Sequence, residues 1–419
     1  MPAWARQLLA IVLLASQHAI ALAAPDEDKL GKAKGYPVGT ARDWFFDEAV
    51  RIGSFTSQGE IPGLFNGKAN VLEPASVPMA LPRAEREPRF RWNAEHLSNL
   101  TIDDYLVRQR IMGLMIIKDG VVQVERYQYD RTPAHRFVSH SMAKSITAIG
   151  IALAVSEGKI SSLDDAAERY ALKLAGSLYG QTSIRNLLRM ASGAKFEENY
   201  DGQDDLARFG IANAKDGIEA AAHVVTERAA QAGTKFNYAS SETAILGAVL
   251  RGATGMSVSD YLTPRLWQAM GAETSALWRA ERTGLEVASG NLNVTLHDYA
   301  RLGILLANDG VRPDDPGKKQ IIPREFLLEA TDWRRVPEAF RPRNATPYYG
   351  YGYQFWLFPG DKRRFALLGV YGQMIFVDPG LSLVMVQTAA NATARAGQTS
   401  LGREADAFWR GVVRHYGYW

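Results

Sequence analysis

The amino-acid sequence predicts an α+β protein in which an antiparallel β-sheet is flanked by helices and carries an inserted, mostly helical subdomain. Apolar, strand-like segments occur at 113–127 and again at 365–389, far apart along the chain. Between them, from about 160 to 340, the pattern is mostly helical with polar loops. Strands on both sides of a helical middle are expected to pair into one sheet, which leaves the middle as the insertion.

The first 23 residues have the layout of a secretory signal peptide. Arg6 precedes the apolar run LLAIVLLA, and Ala21 and Ala23 supply the small residues that cleavage requires. The apolar run is too short to span a bilayer, and no second long apolar stretch follows it. We therefore expect a periplasmic or secreted protein with no membrane span in the mature chain.

Residues 24–100 are rich in Pro and Gly, and they predict an extended segment that packs over a domain formed by 101–419. The 419-residue chain has a formal net charge of +3 and no dense block of Lys and Arg. Nucleic acid is therefore not expected as a partner. The chain has no cysteine, which excludes disulfides and cysteine catalysis. The sequence carries no prediction of oligomeric state.

The elements follow in order along the domain. GLMIIKDGVVQVERY predicts a hairpin that turns at Asp119-Gly120, and residues 141–157 predict a helix that Gly158 ends. Three later segments look like helices stopped by glycine: TSIRNLLRMASG, SETAILGAVLRGATG and LHDYARLGILLANDG. Strands return in FALLGV and in MIFVDPGLSLVMVQTA, which turns at Asp378-Pro379-Gly380.

The helix at 141–157 carries the first candidate for catalysis. Ser141 and Lys144 are three residues apart, so on a helix they share a face and can touch. A buried lysine near a helix start has a lowered pKa, and its neutral form can take the proton of a serine hydroxyl. The alternative from the residues alone is a capping serine beside a lysine whose ammonium reaches solvent.

The Ser-x-x-Lys pattern occurs three times in this chain. Ser156 and Lys159 flank Gly158 at a helix end, and Ser192 and Lys195 run through a glycine into a loop. Both pairs are interpreted as solvated side chains at helix ends. Ser141 is the serine that an apolar helix follows.

Further residues give the pair a context. Tyr238 lies in a Tyr-Ala-Ser triplet before a predicted helix, and Gly369 and Gly372 end an apolar strand. Together the three motifs resemble those of the serine β-lactamase and penicillin-binding-protein superfamily, from about residue 105 to 395. The similarity is greatest to its class C-like branch of esterases, D-amino peptidases and 6-aminohexanoate-dimer hydrolases. The resemblance implies a β-lactamase/transpeptidase-like fold.

The resemblance also implies roles for individual residues. Ser141 corresponds to the acylating nucleophile, Lys144 to its base, and Tyr238 to the tyrosine that passes a proton to the leaving group. The backbone N–H groups of Ser141 and Gln373 correspond to the oxyanion hole. Gly372 would let its strand approach the substrate, with Tyr371 beside it. Ser240 takes the second-motif position usually held by asparagine, and Tyr200 resembles a substrate-facing tyrosine. Taken alone, Tyr238 could equally be a capping or core residue and Tyr200 a surface one.

One departure concerns the third motif, where Val370 stands in place of the usual Lys or His. That change and Ser240 remove polar groups that recognise β-lactams or peptide carboxylates. We therefore expect a serine hydrolase that cleaves esters or amides of small molecules through an acyl-enzyme. The alternatives are a non-catalytic penicillin-binding-like sensor or structural protein, and a true β-lactamase or D-amino peptidase.

Other catalytic constellations have little support in the sequence. It contains neither a Gly-x-Ser-x-Gly elbow nor a His-Glu-x-x-His motif, and no cofactor or metal is expected. His135 and His140 are interpreted as structural histidines whose ring nitrogens are hydrogen-bonded.

Overall fold

The computed structural model describes residues 26–64, 68–395 and 400–419. The predicted signal peptide, 1–23, lies outside the described residues. The strands, β1 to β13 in chain order, are Ala69–Leu72, Trp92–Ala94, Leu97–Leu100, Ile111–Lys118, Val121–Tyr127, Arg136–Val138, Ala276–Arg279, Leu292–Thr295, Gly350–Tyr351, Trp356–Leu357, Phe365–Gly369, Gln373–Asp378 and Leu383–Ala389. The α-helices, α1 to α11, are Glu48–Thr56, Ile102–Arg108, Ala143–Ser156, Ile184–Leu188, Asp205–Asp216, Ile218–Ala221, Ser240–Thr254, Val258–Leu262, Leu296–Ala307, Arg324–Thr331 and Ser400–Tyr416.

The main sheet joins the two ends of the domain. Its seven strands run in the order β5-β4-β13-β12-β11-β10-β9, and every neighbouring pair is antiparallel. The segments 111–127 and 350–389 thus form one sheet around the intervening residues. The predicted α+β fold with a sheet assembled from distant segments is confirmed.

The hairpin turns of this sheet follow from their residue types. Asp119 and Gly120 both have positive φ, 52° and 76°, which is the conformation of the two-residue turn that suits twisted antiparallel strands. At the second hairpin the Asp378 carboxylate accepts a hydrogen bond from the Leu381 N–H, 3.1 Å away. Both turns lie where the sequence predicted them.

Helices cover both faces of the main sheet, and alternate residues of its strands serve the two sides. On β12, Ile375 and Val377 belong to the core beneath α9, whereas Met374 and Phe376 belong to the core beneath α11. The Phe376 ring stacks on Trp409 of α11 with 5.5 Å between centroids. A strand buried on both faces has no polar alternation, and QMIFVD shows none.

A second sheet, which was not predicted from the sequence, joins two strands of the inserted region to two strands that precede it in the chain. Its four strands run in the order β1-β7-β8-β6, so residues 69–72 of the N-terminal segment pair with strands of the 276–295 region. The 160–340 region contains helices α4 to α10, as expected, but β7 and β8 within it were not predicted. These strands are four residues each, and β8 is buried at every position, so they present no period-2 pattern.

Two buried helices bring the candidate catalytic residues together. α3 and α7 pack side by side, and an added Cβ at Gly150 would lie 2.7 Å from Leu250 Cδ2. The starts of the two helices, preceded by Ser141 and Tyr238, also lie close together, because the Tyr238 phenol is hydrogen-bonded to Ser141. The predicted helix over 141–157 begins as a 3₁₀ turn at His140–Met142 and becomes α-helical at Ala143.

Candidate active site

The Ser141–Lys144 pair is in hydrogen-bond contact. Lys144 Nζ lies 2.8 Å from Ser141 Oγ, and it also donates to the Ser289 carbonyl at 2.9 Å. Lys144 is only 1% exposed, whereas Ser141 remains partly exposed and lines a cavity. The alternative interpretation required the Lys144 ammonium to reach solvent, and the structure shows that it does not.

Burial has a direct effect on this lysine. Loss of solvation lowers the pKa of Lys144 from 10.5 to about 8, while the Glu198 carboxylate opposes the shift. Near neutral pH a sizeable minority of molecules therefore carries an uncharged amine beside the serine hydroxyl. That amine can accept the hydroxyl proton, which an ammonium cannot do.

Tyr238 is the third member of the cluster. Its phenol is hydrogen-bonded to Ser141, and Lys144 Nζ lies 5.1 Å from the centre of its ring. The ring stacks on Trp356 with 5.5 Å between centroids, which fixes its orientation. Burial raises the pKa of the Tyr238 phenol above its ordinary value. The phenol therefore stays protonated at neutral pH and can donate a proton.

A buried carboxylate that the sequence analysis missed lies behind this cluster. Glu198 accepts hydrogen bonds from the Ser240 N–H and hydroxyl, at 2.6 and 2.7 Å, and from the Tyr200 hydroxyl at 2.5 Å. It is 4% exposed. Its place two residues before Tyr200 was the available signal, but burial could not be inferred from FEENYDG. Glu198 holds the two predicted substrate residues, Ser240 and Tyr200, at the cavity wall.

The third-motif segment approaches the nucleophile at Gly369. An added Cβ on Gly369 would lie 2.6 Å from the Ser139 carbonyl oxygen and 3.2 Å from His140 Cβ, so only glycine permits this contact. The next residue, Val370, lines the same cavity as Ser141. The close approach predicted for Gly372 is therefore made three residues earlier.

The remaining predicted residues of this segment point elsewhere. Gly372 adopts a left-handed turn (φ 89°), and an added Cβ there would lie 2.8 Å from Asn391 Nδ2. Tyr371 is 4% exposed beneath the Arg51 guanidinium, 4.3 Å from its ring centre. Gln373 is fully buried, its side-chain Nε2 donates to the Ala389 carbonyl at 2.7 Å, and it is not among the described residues that line the cavity; the oxyanion role of its backbone N–H stays a prediction. Among the described residues that line the cavity, Val370 represents this segment.

The cavity at Ser141 has a volume of about 630 Å³, within the range that holds small organic ligands. Its walls come from the N-terminal segment, α5 and the 281–291 loop, in addition to the residues already described. Among the described residues that line the cavity, three are charged: Asp204, Glu281 and Arg282. Arg282 is therefore the one Lys or Arg side chain in this described lining.

His140, which precedes the nucleophile, also lines the cavity. Burial lowers the pKa of its imidazole to about 3, so the ring is neutral at working pH. Its Nε2 atom has no hydrogen-bond partner within the described part of the chain. The interpretation of His140 as fully hydrogen-bonded is thus wrong at this atom. Its ring is held instead by aromatic neighbours, including Trp44 and Phe55.

The other two Ser-x-x-Lys pairs do not form comparable sites. Ser156 is exposed and donates to the Leu153 carbonyl. Ser192 is fully buried, and its hydroxyl donates to Glu242 Oε1 at 2.5 Å. The expectation of a solvated Ser192 is therefore wrong, because the neighbouring helix α7 supplies a buried carboxyl. Its lysine, Lys195, is exposed.

The described residues show neither a cluster of metal ligands nor a membrane-spanning helix. They contain no group of three or more His, Asp or Glu side chains arranged to hold a metal ion. Among the helices that the structure describes, none combines the length and apolar composition that a bilayer crossing requires.

Comparison with known proteins gives this geometry a family. A family model described as Beta-lactamase matches residues 101–405. The chain belongs to the beta-lactamase family. A 6-aminohexanoate-dimer hydrolase from Paenarthrobacter ureafaciens is 24% identical over 327 residues, which cover 76% of this chain and 83% of the relative. The resemblance predicted from the motifs is confirmed, as is the enzyme class, a hydrolase.

Solved structures agree on the fold. A Bacillus anthracis protein assigned as a 6-aminohexanoate-dimer hydrolase superposes with a TM-score of 0.76 at 21% identity, covering 94% of this chain and 97% of that one. A penicillin-binding protein homologue from Pyrococcus abyssi gives a TM-score of 0.51 at 18% identity, covering 74% and 76% of the two chains. The β-lactamase/transpeptidase-like fold is thus confirmed, with antiparallel sheets and helices as predicted.

Proposed function

We propose that this hydrolase cleaves ester or linear amide bonds of small molecules through a covalent acyl-enzyme on Ser141. The observation that carries the proposal is the 2.8 Å contact between Ser141 Oγ and the nitrogen of a buried lysine with a lowered pKa. Such a pair is the activated nucleophile that acyl transfer requires. Without a use in catalysis, burying Lys144 would only cost stability.

The proposed reaction moves one proton around the cluster. Neutral Lys144 takes the proton of Ser141, and Oγ attacks the substrate carbonyl to give a tetrahedral oxyanion. The backbone N–H groups of Ser141 and Val370 are the proposed donors to that oxyanion. Tyr238 donates its phenol proton to the leaving group and is reprotonated by the Lys144 ammonium. Water then replaces the leaving group, and the same groups release the acid.

The substrate class is proposed from the third motif and from the relatives. The motif's cation would stand two residues before its glycine, and that position is Leu367 if the glycine is Gly369 and Val370 if it is Gly372, so neither register offers a cation for a substrate carboxylate. A lost charge-assisted contact costs roughly ten- to a hundredfold in affinity. We therefore expect esters first and linear amides second, and the relative named as a 6-aminohexanoate-dimer hydrolase supports the inclusion of amides. The signal-like N-terminus supports a periplasmic or secreted location.

The alternatives lead to different outcomes. A non-catalytic sensor would not need Ser141, Lys144 and Tyr238 in contact. A site that no longer catalyses a reaction tends to lose such residues. A true β-lactamase would need a cation from elsewhere, for which the cavity offers Arg282. If a cephalosporin proved the better substrate, Arg282→Ala should then lower its turnover.

The function is tested by labelling and by a substrate panel on one preparation. A fluorophosphonate should label Ser141, as located by mass spectrometry, and Ser141→Ala should lose both the label and turnover. Ser156→Ala is the matched control and should keep both. The panel compares kcat/KM for a nitrophenyl ester, a linear amide, a D-amino peptide and a chromogenic cephalosporin. Absence of labelling and of turnover would favour the sensor, and a preferred cephalosporin would favour the β-lactamase.

A further inference from the structure

We propose that an apolar trough beside Ser141 binds the acyl chain of the substrate and makes the enzyme selective for medium-length aliphatic acyl groups. The inference rests on the proposed acyl-enzyme function. One wall of the trough is the aromatic segment, defined as Trp44, Phe45 and Phe46. The other comes from α5, which contributes Leu206, Phe209 and Ile211 to the lining. All six residues line the cavity that Ser141 opens into.

The aromatic segment is fixed directly to the nucleophile's neighbour. Trp44 stacks on the neutral His140 ring with 6.1 Å between centroids and 18° between planes. Phe45 meets the His140 ring edge-on at 5.7 Å and contacts Tyr200 at 6.4 Å. Phe46 lies over the Gly202 loop, where an added Cβ would lie 3.4 Å from its Cζ. The wall therefore spans from the turn that carries Ser141 to the loop that leads into α5.

Exposure separates the outer part of the trough from ordinary core. Phe209 is 4% exposed, but Phe46 is 50% and Ile211 71% exposed. Large apolar side chains left in water gain free energy when a ligand covers them, and both of these belong to the cavity of the nucleophile. The aromatic segment also lies outside residues 101–405, which the family model matches. The trough is thus built partly by a segment that this family match does not include.

The cavity lies on the acyl side of the bond to be cleaved. The leaving group departs beside Tyr238, which donates its proton, and Tyr238 is absent from the described residues that line the cavity. A substrate whose carbonyl sits at Ser141 therefore directs its acyl chain into the trough. The apolar walls favour methylene groups, and a volume of about 630 Å³ leaves room for several.

An acyl-chain series with a constant nitrophenol leaving group tests the trough. We expect kcat/KM to rise from acetate to octanoate, by about fourfold for each methylene that is fully buried. Phe46→Ala and Ile211→Ala should each reduce the octanoate-to-acetate ratio several-fold. Leu172→Ala removes an apolar side chain that is 77% exposed and outside the cavity lining, and its ratio should match the wild type. Equal ratios in all four proteins would overturn the proposal.

Binding without turnover separates this inference from the proposed function. In the Ser141→Ala protein, calorimetry should show octanamide binding far more tightly than acetamide, and the additional Phe46→Ala change should weaken octanamide several-fold. This result would hold even if no ester were hydrolysed, so loss of turnover alone would refute only the function. Equal binding of the two amides, or no effect of Phe46→Ala, would refute the trough. A dependence on alcohol length instead of acyl length would also refute it.

Discussion

The pH dependence of turnover is the sharpest test of Lys144 as the base. Its pKa of about 8 leaves the amine neutral in roughly one molecule in ten at pH 7 and nine in ten at pH 9. Because the neutral form is the active one, kcat/KM should rise about tenfold over that interval and then level off. A lysine titrating at 10.5, its ordinary value, would give about a hundredfold rise with no plateau.

Glu198 provides a way to move this titration. Its carboxylate favours the charged form of Lys144 and raises the lysine pKa, so Glu198→Gln should shift the rising limb of kcat/KM to lower pH. Glu198→Asp keeps the charge and should leave the limb closer to its original position. The assay is steady-state hydrolysis of a nitrophenyl ester, followed at the isosbestic wavelength of nitrophenol with buffer blanks subtracted. It gives the rising limb of kcat/KM for each variant between pH 6 and about pH 10.

A second buried group titrates in the same range and must be controlled. Burial raises the pKa of Glu242 to about 8, so a limb near this pH could in principle report on that carboxyl. Glu242→Gln keeps the acceptor for Ser192 and cannot ionise. If its limb vanished while Glu198→Gln left the limb in place, Lys144 would not be the titrating base. A wild-type profile that is flat from pH 6 to 9 would refute the reasoning as well.

The remaining predictions concern the nucleophile, the tyrosine and the buried carboxyl. Ser141→Ala should abolish turnover. Ser192→Ala should keep activity but lower Tm, because it removes the hydroxyl that donates to Glu242. An inactive but fully stable Ser192→Ala protein would contradict both expectations for that variant. Tyr238→Phe should fold normally and slow acylation severely in burst kinetics, since it removes only the proton donor; near wild-type rates would mean that the ring merely packs. Glu242→Gln should raise Tm relative to the wild type by an amount that grows from pH 5 to 8. In the folded protein the pKa of Glu242 is raised from 4.5 to about 8. Between these two pH values ionisation of Glu242 favours the unfolded chain, so the wild type loses stability as pH rises. A Tm difference between Glu242→Gln and the wild type that stays constant with pH would argue against the raised pKa.

The parts of the site that could be predicted are those fixed by local geometry. Ser141 and Lys144 are three residues apart on one helix, so their contact follows from helical periodicity. The turns at Asp119-Gly120 and Asp378-Pro379-Gly380 follow from backbone preferences of the same few residues. The fold and the family could be predicted because several such local signals occur in a fixed order along the chain.

The parts that could not be predicted depend on tertiary placement. LLGVYGQ contains two glycines, and which one meets the nucleophile turn depends on how β11 lies against Ser139. Glu198 and Glu242 look like surface carboxylates in sequence, and only the packing of α7 against distant loops buries them. The second sheet was missed because its strands are only three or four residues long and β8 is buried at every position, so they show no clear alternation. The aromatic segment was missed because Trp44 and Phe45 reach His140 across about a hundred residues of chain.

Two features of the cavity bear on one another. The third-motif segment supplies no cation. A substrate carboxylate bound there would lose its hydration without gaining a charged partner, which lowers its affinity. The walls opposite supply aromatic and aliphatic surface, whose contribution grows with the apolar area that the substrate buries. A site whose third-motif segment supplies no cation, but whose cavity exposes Phe46 and Ile211, gains affinity from methylene groups rather than from a carboxylate held at that segment. The same arrangement therefore explains why uncharged acyl groups should be accepted and why β-lactams should be poor substrates.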